Sequence, residues 1–332
     1  MFHVPSSVGC WGTGVMVQTL GEKATRDVLG PTLARLCREG MDIVCVDADL
    51  GFSTSAVKFG AEFPERFFPV GVAEQNMVGV AAGLAAAGKV AFCSSFAVFA
   101  PGHCFDQLRM AVAQPKTNVK LFASHAGVVT GEDGASAEAL EDLALMLSMP
   151  PFRVIFPADA VECEQAIEIA AKTDGPFYIR ALRPKTPIIH DDKYKFQLGK
   201  WPVLRDGKDV TLIACGELVV AALDSAEALA AEGIQARVLN AASLRPMDED
   251  ALLAAASQTG AIVTAEDHFI FGGLGTIVSQ ALAEQRPTPV EFVGMRDRYG
   301  TSGTWQQLLK HFNLTPDAIA RAARNVIARK SA

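Results

Sequence analysis

The segment 70–88 carries one acidic residue, Glu74, at the start of a helix that is otherwise rich in small and apolar residues. A carboxylate buried on an apolar face is costly unless it is used, and a glutamate that can hold a proton near neutral pH serves proton transfer. The alternative is a solvated glutamate that complements the helix dipole. Gly79 and Gly83 favour the first interpretation, because they permit close approach of another backbone. The helical period of 3.6 residues places Glu74 on one face with Met77, Val78, Ala81, Ala82 and Ala85.

The elements that must position Glu74 alternate between short β-rich segments and helical segments. This alternation predicts an α/β fold with parallel sheets that are covered on both faces. A proline-containing and charged stretch interrupts it after residue 184, which predicts a linker between two domains. The predicted organisation is an N-terminal arm (1–22), a first domain (23–185), a linker (186–207) and a second domain (208–332).

Composition excludes several classes of function. The chain has 332 residues, of which 50% are hydrophobic, and a net charge of -7 without clusters of Lys and Arg, so nucleic acid is not the expected partner. The longest uncharged run, about 90–105, is too short and too interrupted to span a membrane. No secretory pattern is evident near the N-terminus, and the seven cysteines show no paired spacing. We therefore expect a cytoplasmic protein with reduced thiols and no membrane partner.

Common catalytic motifs are absent from the sequence. The HExxH, GxSxG and GxxxxGK[ST] patterns are all missing, so hydrolase and P-loop functions are not supported. Glu266, Asp267 and His268 are consecutive, so they cannot all face one metal ion, and we expect a polar loop there. The GGLG sequence that begins at Gly272 lacks the full dinucleotide-binding spacing and is interpreted as tight helix packing. No metal site is expected in this chain.

A combination of short motifs carries a resemblance to a known family. From about residue 23 onwards the chain resembles the C-terminal, small subunit of a split transketolase, a thiamine diphosphate-dependent enzyme. The resemblance implies two doubly wound domains, a pyrimidine-binding domain followed by a transketolase C-terminal domain. The motifs are KATR (23–26), DADLGFS (47–53), VAEQNM (72–77), FAVF (96–99), SHAG (124–127), GEDG (131–134) and FYIR (177–180).

The resemblance assigns residues to the cofactor. It implies that Glu74 hydrogen-bonds the pyrimidine nitrogen of thiamine diphosphate and is the catalytic carboxylate. Phe96 and Phe99 match positions that pack on the pyrimidine, although core packing is an alternative for both rings. Asp49 matches a residue near the thiazolium across the subunit interface, and a role in capping the following loop is an equal alternative.

The resemblance also assigns residues to the substrate and reveals departures from the family pattern. Arg26, Ser53, His125 and Arg180 match residues that grip a sugar phosphate, and Asp133 matches an aspartate that binds a substrate hydroxyl. Two positions differ from the larger transketolases. A histidine that contacts the donor sugar is replaced by Ala137, and a third aromatic residue by Gly102, next to His103.

The chain contains neither the GDG motif nor the downstream Asn pair that hold diphosphate and Mg²⁺ in this family. The resemblance therefore implies a large partner subunit that holds Mg²⁺ and the diphosphate, and an α2β2 heterotetramer. The implied function is transfer of a two-carbon ketol unit between phosphorylated sugars. The alternatives are the β subunit of a 2-oxo acid dehydrogenase decarboxylase component, a 1-deoxyxylulose-5-phosphate synthase-like enzyme, and a non-catalytic assembly or regulatory subunit.

Overall fold

The computed structural model describes residues 19–330, so most of the predicted N-terminal arm lies outside the described residues. The β-strands of the first half are β1 Glu22–Ala24, β2 Ile43–Asp47, β3 Phe67–Pro69, β4 Val90–Phe96, β5 Val119–Ser124, β6 Arg153–Ile155, β7 Phe177–Arg180 and β8 Lys185–Pro187. Those of the second half are β9 Val203–Arg205, β10 Val210–Ala214, β11 Ala236–Asn240, β12 Ser243–Arg245, β13 Ile262–Phe269 and β14 Val290–Met295.

Thirteen α-helical segments accompany these strands in the described part of the chain. In the first half they are α1 Leu29–Arg38, α2 Gly51–Thr54, α3 Val57–Glu62, α4 Glu74–Ala86, α5 Ala100–His103, α6 Phe105–Gln107, α7 Asp142–Leu147 and α8 Ala160–Lys172. In the second half they are α9 Leu218–Ala231, α10 Glu249–Thr259, α11 Leu274–Gln285, α12 Trp305–His311 and α13 Pro316–Lys330. None of them is long and apolar enough to cross a membrane.

Two sheets organise the chain. The first has seven strands in the order β12-β6-β7-β5-β4-β2-β3, and the second has five in the order β14-β13-β10-β11-β9. All neighbouring strands are parallel except at one edge of each sheet, where β12 and β9 run antiparallel to their neighbours. The predicted α/β fold with two parallel sheets is confirmed.

Strand β2 shows why helices cover both faces of the first sheet. All five of its residues are buried. Ile43 and Cys45 pack into one apolar core with α1 and α8, whereas Val44 and Val46 pack into another core with α4. A strand that is buried on both faces is expected to be mostly apolar, and the first four residues of β2, 43–46, are all apolar.

Several elements differ from the sequence expectation. The amphipathic pattern from residue 23 to about residue 38 predicts a helix, but α1 begins only at Leu29. Residues 22–24 instead form β1, which pairs antiparallel with β8, and residues 25–28 form a 3-10 helix. The predicted linker contains β9, which belongs to the second sheet. Strand β12 lies within the second domain in sequence but joins the edge of the first sheet through β6. The two domains are thus joined through a shared sheet edge, and the larger apolar core contains residues of both sheets.

Candidate functional site

Glu74 is the first residue of α4 and is only 7% exposed. The preceding residue, Ala73, provides no side-chain cap. The predicted apolar face is confirmed: Met77, Val78, Ala81 and Ala82 are buried, and Ala85 packs partly against the same core. Glu74 is therefore shielded from water, with its carboxylate at the start of a helix whose neighbouring face is buried.

The opposite face of α4 is open in this chain. A Cβ atom built on Gly79 or on Gly83 would find no other atom within 4 Å. Val72, two residues before α4, is 79% exposed. Phe52, in α2, is 91% exposed. Large apolar side chains in such positions are typical of a surface that another protein covers.

Four rings form a continuous stack that begins beside Glu74. His103 Nδ1 lies 3.5 Å from Glu74 Oε2, and the His103 ring stacks on Phe99 at 5.6 Å between centroids. Phe99 stacks on Phe96 at 5.9 Å, and Phe96 stacks on His125 at 3.7 Å. The stack therefore connects the carboxylate of Glu74 to the predicted substrate residue His125.

The far end of the stack is held by Arg26. Its Nη1 donates hydrogen bonds to the Ser53 carbonyl oxygen at 3.0 Å and to His125 Nε2 at 3.2 Å. Because a guanidinium can only donate, Nε2 of His125 is the acceptor, and Nδ1 carries the proton that it donates to Ser124 Oγ at 2.8 Å. Burial and the nearby charge of Arg26 lower the pKa of His125 to about 3, so its imidazole is neutral. Three predicted substrate residues, Arg26, Ser53 and His125, are thus brought together.

Asp133 lies at the end of the GEDG loop (residues 126–134), with a side chain that is 37% exposed. Its Oδ1 is 3.9 Å from Nη2 of Arg183, a residue that the sequence analysis did not select. Arg183 Nη1 also donates to Glu132 Oε2 at 2.6 Å and to the Thr130 carbonyl oxygen at 3.1 Å. Burial is the main cause of the lowered pKa of Arg26 and of His125, and the positive charge of Arg183 lowers both further. Arg183 therefore belongs to the same cluster.

The predicted substrate role of Arg180 is wrong, because this side chain is fully buried. Its Nε and Nη2 donate to Asp142 Oδ2 and Oδ1 at 2.8 and 3.0 Å, and its guanidinium lies over the ring of Phe156. Burial by itself would lower the pKa of Arg180, but the charge of Asp142 raises it above its usual value. Arg180 forms a structural ion pair in the protein interior. Arg183, three residues further on, is instead partly exposed to solvent.

Asp49 follows β2 in a turn with a left-handed backbone (φ 65°), and it is exposed. The buried neighbour that holds this turn is Asp47, which sequence reasoning missed. Burial raises the pKa of Asp47 to about 6, and hydrogen bonds from the backbone of residues 49–51 oppose this shift. Asp47 thus positions Asp49 at the carboxyl end of β2. Its location within the DADLGFS motif was the only sequence signal for it.

The two positions that depart from the family pattern have different surroundings. A Cβ atom on Gly102 would find nothing within 4 Å, so this position is open. Ala137 is buried, and the next residue, Glu138, is 2% exposed. Burial and the charge of Asp267 raise the pKa of Glu138 to about 8. Gly300 of the second domain packs directly against the Glu138 carboxyl group, which therefore faces the contact between the domains.

Residues 266–268 do not form the polar loop that we expected, because all three are buried within β13. Glu266 accepts hydrogen bonds from the backbone of Leu274 and Gly275 at the start of α11. Asp267 accepts from the backbone of Val128 and Val129. The described residues contain no group of three or more His, Cys, Asp or Glu side chains placed to hold a metal ion. The GGLG prediction of tight packing is confirmed, since a Cβ atom on Gly275 would collide with Phe292.

Comparison with known proteins agrees with this arrangement. Residues 21–188 match the transketolase pyrimidine-binding domain, and residues 199–319 match the transketolase C-terminal domain. The chain is 41% identical to a 6-deoxy-6-sulfo-D-fructose transketolase subunit of Clostridium sp. (strain MSTE9), over 94% of this chain and 97% of that one. It is also 41% identical to transketolase of Homo sapiens, over 93% of this chain but only 50% of the human protein. It thus spans about half the length of such single-chain relatives.

A solved structure described as a split gene transketolase, an inactive β4 tetramer, gives the same result. It superimposes with a TM-score of 0.86 at 44% identity, covering 93% of this chain and all of the other. These similarities favour a transketolase over a 2-oxo acid dehydrogenase subunit. The chain belongs to the transketolase family and corresponds to the small, C-terminal subunit of a split transketolase.

Proposed function

We propose that this chain supplies the pyrimidine-binding and sugar-binding half of a ketol-transfer site that a large subunit completes. The observation that carries the proposal is the stack of four rings, which connects the shielded carboxylate of Glu74 to the cation of Arg26. One end of the stack offers a proton-exchanging group and flat apolar surfaces. The other end offers positive charge and hydrogen-bond donors.

The Glu74 end fits the aminopyrimidine of thiamine diphosphate. Glu74 is shielded from water and can share a proton at its Oε atoms with a ring nitrogen, while Phe96 and Phe99 provide aromatic faces for packing. When bound, thiamine diphosphate supplies the electron sink that stabilises a carbanion during transfer of the ketol unit. We assign Asp49, which lies in the turn at the carboxyl end of β2, to the neighbourhood of the thiazolium ring.

The Arg26 end fits a phosphorylated sugar. Burial, and to a smaller extent the nearby charge of Arg183, lower the pKa of Arg26. Two guanidinium groups so placed suit the oxygens of a phosphate. Neutral His125 can donate or accept a hydrogen bond only after it exchanges one of its present partners, Arg26 or Ser124. Ser53 lines the approach, and Asp133 can accept a hydrogen bond from a sugar hydroxyl.

The partner subunit completes the site. This sequence lacks the GDG motif, so we assign the diphosphate and Mg²⁺ to the large subunit. The open face of α4, together with exposed Val72 and Phe52, is the surface we assign to that contact within an α2β2 heterotetramer. The solved split transketolase that resembles this chain is described as an inactive β4 tetramer, which supports the need for a second type of subunit.

Glu74→Gln tests the proposal. The amide cannot exchange a proton with the pyrimidine, so we expect assembly with the large subunit to persist while ketol transfer falls by about 100- to 10,000-fold. Glu39→Gln, at an exposed helix end, is the matched control. Turnover is measured with large subunit, thiamine diphosphate and Mg²⁺ on a panel of phosphorylated ketoses and 6-deoxy-6-sulfo-D-fructose.

The same assay separates the catalytic interpretation from a non-catalytic one. Near-normal turnover of Glu74→Gln would contradict the role of this carboxylate. Absence of ketol transfer from every sugar, with an assembled wild-type complex, would instead favour an assembly or regulatory subunit.

A further inference from the structure

A pocket of about 260 Å³ lies at the free edge of the second sheet, and none of the residues of the candidate active site lines it. Its walls are the edge strand β14, the loop that follows this strand and one side of α13. Three arginines line it, Arg296 and Arg298 from the loop and Arg321 from α13, together with the amide side chains of Asn313 and Asn325. This concentration of positive charge is unusual on a chain whose net charge is -7.

The three arginines are not neutralised by the protein. Within residues 19–330, none of them forms an ion pair with a carboxylate, whereas Arg324 and Arg329 on the same helix pair with Glu232 and Glu291. Glu291 also lines the pocket, but its Oε1 is 2.7 Å from Arg329 Nη1, so its negative charge is compensated. The pocket is therefore left with an excess of cationic groups.

Two of the arginines are also held in place. Arg298 lies over the ring of Phe312, 4.7 Å from its centroid, and its Nη2 donates to the His311 carbonyl oxygen at 3.3 Å. Arg296 Nη2 donates to the Phe292 carbonyl oxygen, also at 3.3 Å. A guanidinium has five N–H donors, so both groups keep most of their donors available for a ligand. Fixing the side chains in advance lowers the entropy that a ligand must overcome on binding.

We propose that this pocket binds a small molecule that carries several phosphate groups, as a second ligand site in the C-terminal domain. Arginines recognise phosphate oxygens through paired hydrogen bonds, and three around one pocket suit a polyanion better than a single carboxylate. The amide side chains of Asn313 and Asn325 provide further polar groups for the rest of the ligand. A pocket of this volume fits a compact ligand rather than a protein segment.

Tripolyphosphate is the probe for the test, with the full 332-residue chain and isothermal titration calorimetry at fixed low salt. Arg26→Ala and Arg183→Ala are first combined, so that the phosphate-binding residues proposed for the active site cannot contribute. In this background we expect one tripolyphosphate site per chain. Adding Arg298→Ala and Arg321→Ala is expected to weaken that binding by about 10- to 100-fold.

Arg324→Ala in the same background is the matched control, because Arg324 lies on the same helix but is paired with Glu232. It is expected to leave the affinity unchanged, and thermal melting curves check that all variants remain folded. No binding in the background chain, or equal binding with and without Arg298 and Arg321, would overturn the proposal. The readout does not depend on turnover, so its failure is distinct from failure of the proposed ketol transfer.

Discussion

Because Arg180 and Arg183 have different environments, we expect removal of each side chain to affect a different property of the protein. Arg180 is fully buried and forms a two-point ion pair with Asp142, which also accepts a hydrogen bond from Tyr178. Arg183 keeps 34% of its side chain exposed beside Asp133. We expect Arg180→Ala to reduce stability and Arg183→Ala to reduce the use of phosphorylated substrates.

The size of each effect follows from the contacts. Removing one partner of a buried ion pair costs about 3–5 kcal/mol, because the remaining charge stays buried without compensation. For a domain of this size the melting temperature then falls by roughly 10 °C. Losing a charge-assisted hydrogen bond to phosphate costs about 1.5–3 kcal/mol, which lowers kcat/KM by about 10- to 100-fold. The latter loss should be confined to phosphorylated sugars.

Two measurements on the assembled enzyme separate these effects. Thermal unfolding is followed by circular dichroism, and kcat/KM is determined for a phosphorylated ketose and its unphosphorylated counterpart. The expected result is a large loss of stability for Arg180→Ala alone and a large loss of phosphate preference for Arg183→Ala alone. An Arg180→Ala enzyme with normal stability and no phosphate preference would refute this assignment of the two arginines.

Two further predictions concern other parts of the structure. The folded-state pKa of Glu138, about 8, exceeds its usual value of 4.5, so the folded chain binds the extra proton between these pH values and loses stability as the pH rises. Glu138→Gln should therefore melt at increasingly higher temperature than the wild type between pH 5.5 and pH 8, and a difference that does not change with pH would contradict this. Gly79→Ala should stabilise the isolated chain by about 0.5–1 kcal/mol, since the new methyl group meets no atom, but should weaken binding to the large subunit. Thermal melting and size-exclusion chromatography with light scattering test both effects, and tighter assembly would exclude α4 from the contact.

Individual strands, helices and helix caps could be predicted from the sequence, because they depend on patterns of neighbouring residues. A strand within residues 42–49 could be predicted, because the four consecutive apolar residues 43–46 are typical of a strand buried on both faces. The helix that starts at Glu74 was predicted, with its buried face, because one turn of helix repeats every 3.6 residues. The start of α13 could be predicted from Thr315 followed by Pro316, because proline is favoured at the first helical position, and Thr315 Oγ1 accepts a hydrogen bond from the backbone of Ala318.

Features that depend on distant partners could not be predicted in this way. Arg180 ends an apolar strand, and its position in the sequence suggested that it could bind substrate. Its actual partner, Asp142, lies 38 residues earlier, so the local sequence does not reveal the ion pair. Strand β12 joins the first sheet although the second domain surrounds it in sequence, and no pattern within residues 243–245 indicates the pairing with β6. In both cases the deciding contact is made in three dimensions between segments that are far apart in the chain.

The second domain has a direct part in shaping the candidate active site, beyond packing and assembly. Asp267, in its sheet, accepts hydrogen bonds from the backbone of Val128 and Val129, at the base of the GEDG loop that carries Asp133. Gly127 has a left-handed backbone (φ 74°) and lies so close to Asp267 that any Cβ atom there would collide with the carboxylate. From the other side, Ser302 Oγ donates to the Glu132 carbonyl oxygen at 3.2 Å. Because the loop is held on both sides by the second domain, movement between the domains must also move Asp133 relative to His125.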